Sequence, residues 1–375
     1  MATKVKLPGP VLVTGGAGYI GSHVVWALAD AGYPVVVLDD LSAGRRESLP
    51  QSVPLLVGDV GNRRLLDAII TKQRISAVMH FAGSIRVADS VREPLSYYHN
   101  NTVKSQALIE TCVENRVRWF IFSSTAAVYG VPPTLPILED TVTRPINPYG
   151  TSKLMTELML RDGAAASDLR YAVLRYFNVA GADPRGRTGE SREQPSHLVT
   201  LAVQTALGRR PNISVFGEDY ETPDGTCIRD YVHVTDLANA HVRALETLVA
   251  GGESMTLNCG YSRGFSVREV LRTVEQVSGK ALEIVSGPRR AGDPPALVAA
   301  ADKARSVLGW QPRYDDLAVI VRTAMEWEKR LMAAPARPTA KIVVPDSFVG
   351  APRSLSEPGS SATGLLDQLA AQSTS

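Results

Sequence analysis

Residues 13–23 read "VTGGAGYIGSH", and this stretch decides the fold. An apolar run, "PVLVTG" at 10–15, leads into three glycines, Gly15, Gly18 and Gly21, spaced G-x-x-G-x-x-G. The run predicts a buried strand and residues 19–31 predict a helix. Two of the glycines let the backbone turn tightly and approach a pyrophosphate, and the third lets helix and strand pack closely. The start of the helix adds free N–H groups and a partial positive charge, which favour an anion. Glycine triplets also occur in plain turns. The order strand, glycine loop, helix is what points to a dinucleotide here.

Working outward, "PVVVLDD" at 34–40 reads as a second buried strand, with Asp39 at its end, 18 residues after Gly21. A carboxylate there accepts both ribose hydroxyls of an adenosine and repels a 2′-phosphate, which favours NAD over NADP. A turn or cap residue is the competing reading of Asp39. Further strands are expected at 53–59, 76–82, 118–124 and 171–177, with helices near 63–72, 94–116 and 149–166. Asp59 ends the third strand, within reach of an adenine amino group. "HFAGS" at 80–84 brings Ala82 and Gly83, small enough for backbone to lie against a dinucleotide, to the fourth. Continuous β-branched runs separated by helices imply a parallel sheet covered on both faces, a doubly wound α/β fold of Rossmann type.

After about residue 180 the pattern loosens into "GADPRGRTGE" and then helices near 196–208, 235–249, 266–277 and 315–333, mixed with short strands near 213–216, 254–258 and 283–285. The expected organisation is a dinucleotide-binding domain over 8–180, with a return segment near 230–260, and a smaller α/β substrate lobe over 181–333, interleaved with it. Residues 334–375 are rich in Pro, Ala and Ser, bury too little apolar surface to offset their ordering entropy, and are expected to form a disordered tail.

Composition excludes several classes. The net charge of +2 calls for neither nucleic acid nor an anionic membrane surface. No long apolar run follows the first lysines, so neither a signal peptide nor a spanning helix is expected. The three cysteines form no CxxC pair and the six histidines no HxxxH, so no disulfide framework and no metal site are expected. The expected compartment is the cytoplasm.

"FSSTAAVYG" puts Ser123, Ser124 and Thr125 at the end of the fifth strand, where ligands of such sheets bind. "NPYGTSK" at 147–153 then spaces Tyr149 and Lys153 one helical turn apart. A lysine beside a phenol favours the phenolate, and the positive ring of NAD⁺ acts the same way, so Tyr149 is the expected general base. Tyr-x-x-x-Lys alone is a common accident; the glycine loop, Asp39 and the hydroxyl cluster give it weight.

These motifs, with "YYHNN", "LRYFNVAGA", "IRDYVHVTDLA" and "PRRAGDPPALVA", resemble the extended short-chain dehydrogenase/reductase family, and within it the UDP-sugar 4-epimerases, over about residues 10–330. The resemblance implies NAD-dependent interconversion of UDP-glucose and UDP-galactose through a transient 4-keto sugar. Tyr149 takes the 4-hydroxyl proton, Thr125 contacts the sugar, and Lys153 holds the nicotinamide ribose. Tyr19, Ile20, Val60, Phe81, Asn100, Ser123 and Phe177 join the cofactor contacts. Asn178, His197, Phe216, Arg229, Arg290, Asp293 and Leu297 join the substrate contacts, the two arginines on the diphosphate, Asp293 on the ribose and Phe216 near the uracil. An interfacial structural role is the alternative for His197. Ala126-Ala127 replace the acidic pair of family dehydratases, which argues against elimination of water. Ile85 replaces a lysine found in some members. Leu297 stands where narrow-substrate members carry a bulky tyrosine, implying tolerance of N-acetylated UDP-hexoses. A homodimer through helices 94–116 and 149–166 is implied too. A UDP-uronate or UDP-pentose 4-epimerase, and a non-catalytic NAD sensor, remain open.

Overall fold

Seven strands form one parallel sheet with the glycine loop near its centre. The computed structural model of the chain describes residues 6–290 and 293–333, so the tail expected over 334–375 lies outside the described residues. The first half alternates β1 (Val11–Thr14), α1 (Tyr19–Asp30), β2 (Val35–Asp39), β3 (Leu55–Val57), α2 (Arg63–Gln73), β4 (Ala77–His80), α3 (Val87–Arg92), α4 (Pro94–Tyr97), α5 (Lys104–Glu114), β5 (Trp119–Thr125), α6 (Pro148–Ala165) and β6 (Arg170–Tyr176). The second half runs β7 (Asn178–Ala180), α7 (Leu198–Ala206), β8 (Ile213–Phe216), β9 (Ile228–His233), α8 (Val234–Val249), β10 (Met255–Cys259), β11 (Gly264–Ser266), α9 (Val267–Ser278), β12 (Ile284–Gly287), β13 (Ala296–Leu297), α10 (Asp302–Leu308) and α11 (Leu317–Ala333).

The main sheet is ordered β10-β6-β5-β4-β1-β2-β3. The chain winds outward from β1 in one direction and from β4 in the other, so their carboxyl ends flank the crevice where such sheets bind ligands. Strand alternation feeds two cores. Val11, Val13, Val35 and Val37 face α1 and α8, whereas Leu12, Val36 and Leu38 face α2, α5 and α6. Both faces are covered, which is why β1 and β2 are apolar at every position but the last. β10 comes from the second half and completes the edge beside β6.

Outside this sheet, β9 pairs with β7, β11 and β13, and β8 pairs with β12. β9 escapes a reading of the sequence because "IRDYVH" is polar, yet its charges are buried with partners. Asp230 accepts backbone N–H groups from Tyr261 at 2.8 Å and Ser262 at 3.0 Å. The single helix expected over 94–116 is interrupted. A π-helical stretch, Tyr98–Val103, separates α4 from α5 and turns Asn101 inward. π-helical insertions of this kind recur at functional sites.

Four histidines are buried without charge. Burial lowers His80 and His233 to about 3, and His23 and His241 to about 4. Unfolding returns each to about 6.5, so the unfolded chain binds more protons below that pH and stability falls as pH drops from 6.5 toward 4. The loss is about 1.4 kcal/mol per histidine per pH unit. Asp230, raised to about 6 by burial, works in the opposite sense, as do Asp39, Asp236 and Glu328, whereas Glu190, held down to about 2, and Asp183 act with the histidines. Thermal unfolding is expected at a clearly lower temperature at pH 5.5 than at pH 7.5; equal midpoints would contradict the neutral burial of these rings.

Candidate active site

The loop from β1 to α1 is built on backbone contact. Gly15 has φ +68°, and a Cβ there would lie 2.5 Å from the Ala82 nitrogen. A Cβ on Gly21 would lie 2.3 Å from the Gly15 carbonyl oxygen. Gly18 is different: its nearest neighbour would be 3.3 Å away, and it opens α1 with no side-chain cap and no acidic residue in the first turn. The loop therefore presents bare N–H groups across an uncrowded glycine, which suits a pyrophosphate.

Asp39 accepts from Ala17 N at 2.9 Å and Leu41 N at 2.8 Å, one bond to each oxygen. It anchors the glycine loop to the end of β2 and keeps lone pairs for ribose hydroxyls. Burial raises its pKa, and the two backbone bonds oppose that. Asp59 is not free at its strand end. Lys104 Nζ and Gly61 N each donate to it at 2.7 Å, which outweighs desolvation and holds the carboxyl below its ordinary value. Val60 beside it is buried.

The end of β4 lies against β1, with Phe81 N and Ala82 N both donating to the Thr14 carbonyl at 2.9 and 3.1 Å. The Phe81 ring packs on His241 at 4.9 Å, leaving its backbone at the crevice. Asn100 donates to the Ser84 hydroxyl at 2.9 Å. Asn101, which the sequence reading passed over, clamps the same residue more fully. It accepts from Ser84 N at 2.7 Å and donates to Ser84 O at 2.9 Å.

The hydroxyl cluster at the end of β5 divides, because side chains alternate along a strand. Ser123 donates to the Tyr176 hydroxyl at 3.0 Å, and the Thr125 hydroxyl, which accepts from Ala127 N at 3.2 Å, is near enough to Tyr149 to draw its pKa down. Ser124 does not face the crevice as expected; it bonds Glu157 in the buried layer beneath α6.

α6 begins as its sequence dictates. The Asn147 side chain accepts from Gly150 N at 2.9 Å and Pro148 fills the first turn. Tyr149 and Lys153 are 8% and 3% exposed. The expected electrostatics need correction. Burial pushes the Tyr149 phenol well above its usual 10, Tyr176 and Tyr97 add to this, and Thr125 and Arg192 pull it back only partly. Lys153 donates to the Ser123 carbonyl at 3.1 Å, and burial lowers it to about 8. Desolvation thus opposes charge on both partners and outweighs their spacing. A cationic ring brought beside Tyr149 shifts that balance toward the phenolate.

On the other side of the cleft, β13 pairs with β9 so that Leu297 lies beside Arg229. Arg229, 7% exposed, pairs with Asp293, joining the expected diphosphate and ribose contacts. Arg290 stacks on Phe216 at 4.1 Å. Phe177 and Leu297 both pack on the cluster of Ala126, Val128, Tyr129 and Ile137, which brings the substrate strand beside Thr125. Asn178 opens β7. His197 approaches Glu190 at 3.3 Å, an arrangement that suits its structural alternative.

Tyr176 and Arg192 are further residues that sequence reasoning missed. The only signal for Tyr176 is its register opposite Thr125, visible once β5 and β6 are paired. No group of three His, Cys, Asp or Glu is placed to hold a metal among the described residues.

The sequence profile of the NAD dependent epimerase/dehydratase family matches residues 11–260. The chain is 60% identical to a UDP-glucose 4-epimerase of Azospirillum brasilense over 86% of its own length and 92% of that protein. Its structure is similar to that of a UDP-glucose 4-epimerase from Brucella ovis in complex with NAD, with TM-score 0.82, 46% identity, and 85% and 98% of the two chains covered. It also resembles the UDP-Glc/GlcNAc 4-epimerase of Campylobacter jejuni, with TM-score 0.75, 43% identity, and 86% and 99% covered. With the glycine crevice and the Thr125–Tyr149 pair on the same sheet edge, the chain belongs to the NAD dependent epimerase/dehydratase family, among the UDP-glucose 4-epimerases.

Proposed function

We propose that the protein interconverts UDP-glucose and UDP-galactose with NAD as a retained cofactor. The observation that carries this reading is a buried tyrosine, one turn from Lys153, near Thr125 and beside a crevice shaped for a dinucleotide. Gly15, Gly18, Gly21, Asp39 and the backbone at Ala82 and Gly83 hold NAD, with Lys153 on its ribose. Bound there, NAD⁺ supplies a hydride acceptor for the sugar C4 and a hydride donor for the return. Tyr149 takes the 4-hydroxyl proton as a 4-keto sugar forms and gives it back after the sugar presents its other face. Thr125 orients the hydroxyl. Arg229 and Arg290 meet the diphosphate, Asp293 the ribose and Phe216 the uracil. Among the described residues no carboxylate pairs with Arg290, so it brings uncompensated charge.

Residues 8–180, with the return near 230–260, form the NAD domain in this reading, and 181–333 the sugar lobe. A homodimer would cover Val91 and Leu95, which are 62% and 80% exposed, and neighbouring Met155 and Leu158. No described helix is long and apolar enough to cross a membrane, and the three cysteines are buried free thiols; we place the protein in the cytoplasm.

A uronate 4-epimerase is the second reading, favoured by Arg192, whose charge reaches Tyr149. That guanidinium already pairs with Glu190, at 2.9 Å, which ranks this reading below the first. The test is incubation of purified protein with UDP-galactose, UDP-GalNAc and UDP-galacturonate, with products identified by chromatography. UDP-glucose is expected from the first, and UDP-GlcNAc at a comparable rate from the second because Leu297 is smaller than tyrosine. Conversion of the uronate alone establishes the second reading, and no conversion at all leaves an NAD-binding protein.

A further inference from the structure

A buried polar chain starts one helical turn beyond Lys153. Glu157 lies four residues along α6, on the same face, and is 6% exposed. Its carboxylate accepts from Arg175 Nη2 at 2.6 Å, from Arg175 Nε at 3.1 Å, and from the Ser124 hydroxyl. Arg175 stands opposite Ser124 in the register of β5 and β6. Two consecutive residues of β5 therefore grip α6. Ser123 holds Lys153 through its carbonyl, Ser124 holds Glu157 through its hydroxyl, and Thr125 follows them beside Tyr149.

The chain continues toward the sugar lobe. Arg175 Nη1 donates to the Tyr129 hydroxyl at 2.9 Å, and Tyr129 donates to Asn258 Oδ1 at 2.7 Å. Asn258 donates to the Ile137 carbonyl at 2.9 Å, and Ile137 N donates to the carbonyl of Val298, the neighbour of Leu297, at 2.8 Å. A buried ion pair is a poor way to stabilise a core, since well-packed apolar groups serve as well or better. This pair sits instead where the proton-handling helix meets its strand.

We propose that Glu157, clamped by Arg175 and Ser124, is a positioning residue: its carboxylate keeps Lys153 charged and holds α6 in register with the end of β5. The proposal rests on the epimerase reading above. The groups facing Lys153 are few. Tyr149 and Glu157 lie on its own helix, Ser123 and the Phe122 ring on β5, and His80 on β4. His80 is kept uncharged, first by burial and then by Lys153 itself. Glu157 in turn faces Arg175 and Tyr171 on β6. Burial pulls Lys153 down, and Glu157 is the carboxylate that resists it. Lys153 loses its charge as pH rises through its pKa, so removing Glu157 moves that loss to lower pH.

The experiment uses full-length, NAD-loaded protein: wild type, Glu157→Gln and Glu157→Asp, with kcat and KM for UDP-galactose measured from acid to alkaline pH. The wild-type arm tests the epimerase reading separately, since a wild type that makes no UDP-glucose ends that reading whatever the variants do. In Glu157→Gln the alkaline limb of kcat is expected to move down by roughly one pH unit, which is a roughly tenfold loss of rate above it. KM should change less than twofold, and Glu157→Asp should restore part of the shift. Should Glu157→Gln fail to fold because Arg175 is left unpaired, Glu157→Gln combined with Arg175→Met removes both charges and is expected to move the limb in the same direction. An alkaline limb that stays in place in a folded variant, with only thermal stability reduced, overturns the proposal.

Discussion

Tyr149→Phe is expected to slow epimerisation by roughly 10²–10⁴-fold while the protein stays folded and binds nucleotide sugar. The phenylalanine ring fills the same buried space and removes only the hydroxyl, so little stability is at stake. The rate loss is large because neither Lys153 nor Thr125 is placed to do the same work. Lys153 is tied to the Ser123 carbonyl, and the Thr125 hydroxyl accepts from Ala127 N with no base behind it among the described residues. Burial keeps the Tyr149 proton in place at neutral pH, so the site is poised to release it only when positive charge and substrate enter together. Initial rates with UDP-galactose, compared at equal NAD content, measure the effect. A variant within threefold of wild type removes Tyr149 as the proton carrier and turns attention to Tyr176, whose hydroxyl shares the Ser123 contact.

Features of the site that are local in sequence were legible, and features made by distant pairing were not. The glycine spacing, Asp39 at the next strand end, and Asn147-Pro148 opening α6 each depend on neighbours a few residues apart, and each is found where the pattern puts it. Ser124 was misread because its direction depends on strand alternation and on Glu157, 33 residues away. The pairing of Arg229 with Asp293 spans 64 residues, and no local pattern announces it. β9 was hidden because buried charges with partners look like surface in a hydropathy reading. The sign of the Tyr149 shift was misjudged for a related reason. Spacing to Lys153 is readable from sequence, whereas the burial that outweighs it arises only when α6 packs on β5.

Gly21→Ala is expected to abolish NAD retention, with purified protein carrying less than roughly one-tenth of the wild-type cofactor, and to lower stability by about 1–3 kcal/mol. The added Cβ meets backbone on two sides, the Gly15 carbonyl oxygen at 2.3 Å and Gly16 Cα at 2.8 Å, and neither can rotate away as a side chain would. The loop must move off α1, and Asp39 moves with it through its bond to Ala17 N. Gly18→Ala separates the two halves of this argument. Its Cβ would lie 3.3 Å from the Gly15 carbonyl oxygen, which asks for only a few tenths of an ångström of adjustment, and its φ of −74° suits any residue. Gly18→Ala is therefore expected to unfold close to the wild-type temperature and yet bind NAD at least tenfold more weakly, because the methyl group occupies the line of approach to the α1 N–H groups. Cofactor content by absorbance after denaturation and unfolding midpoints by calorimetry measure both. If Gly18→Ala retains NAD as wild type does, the pyrophosphate does not cross this glycine and the cofactor lies elsewhere along the crevice. If Gly21→Ala is as stable and as NAD-loaded as wild type, the packing of α1 on the loop is not what shapes the site.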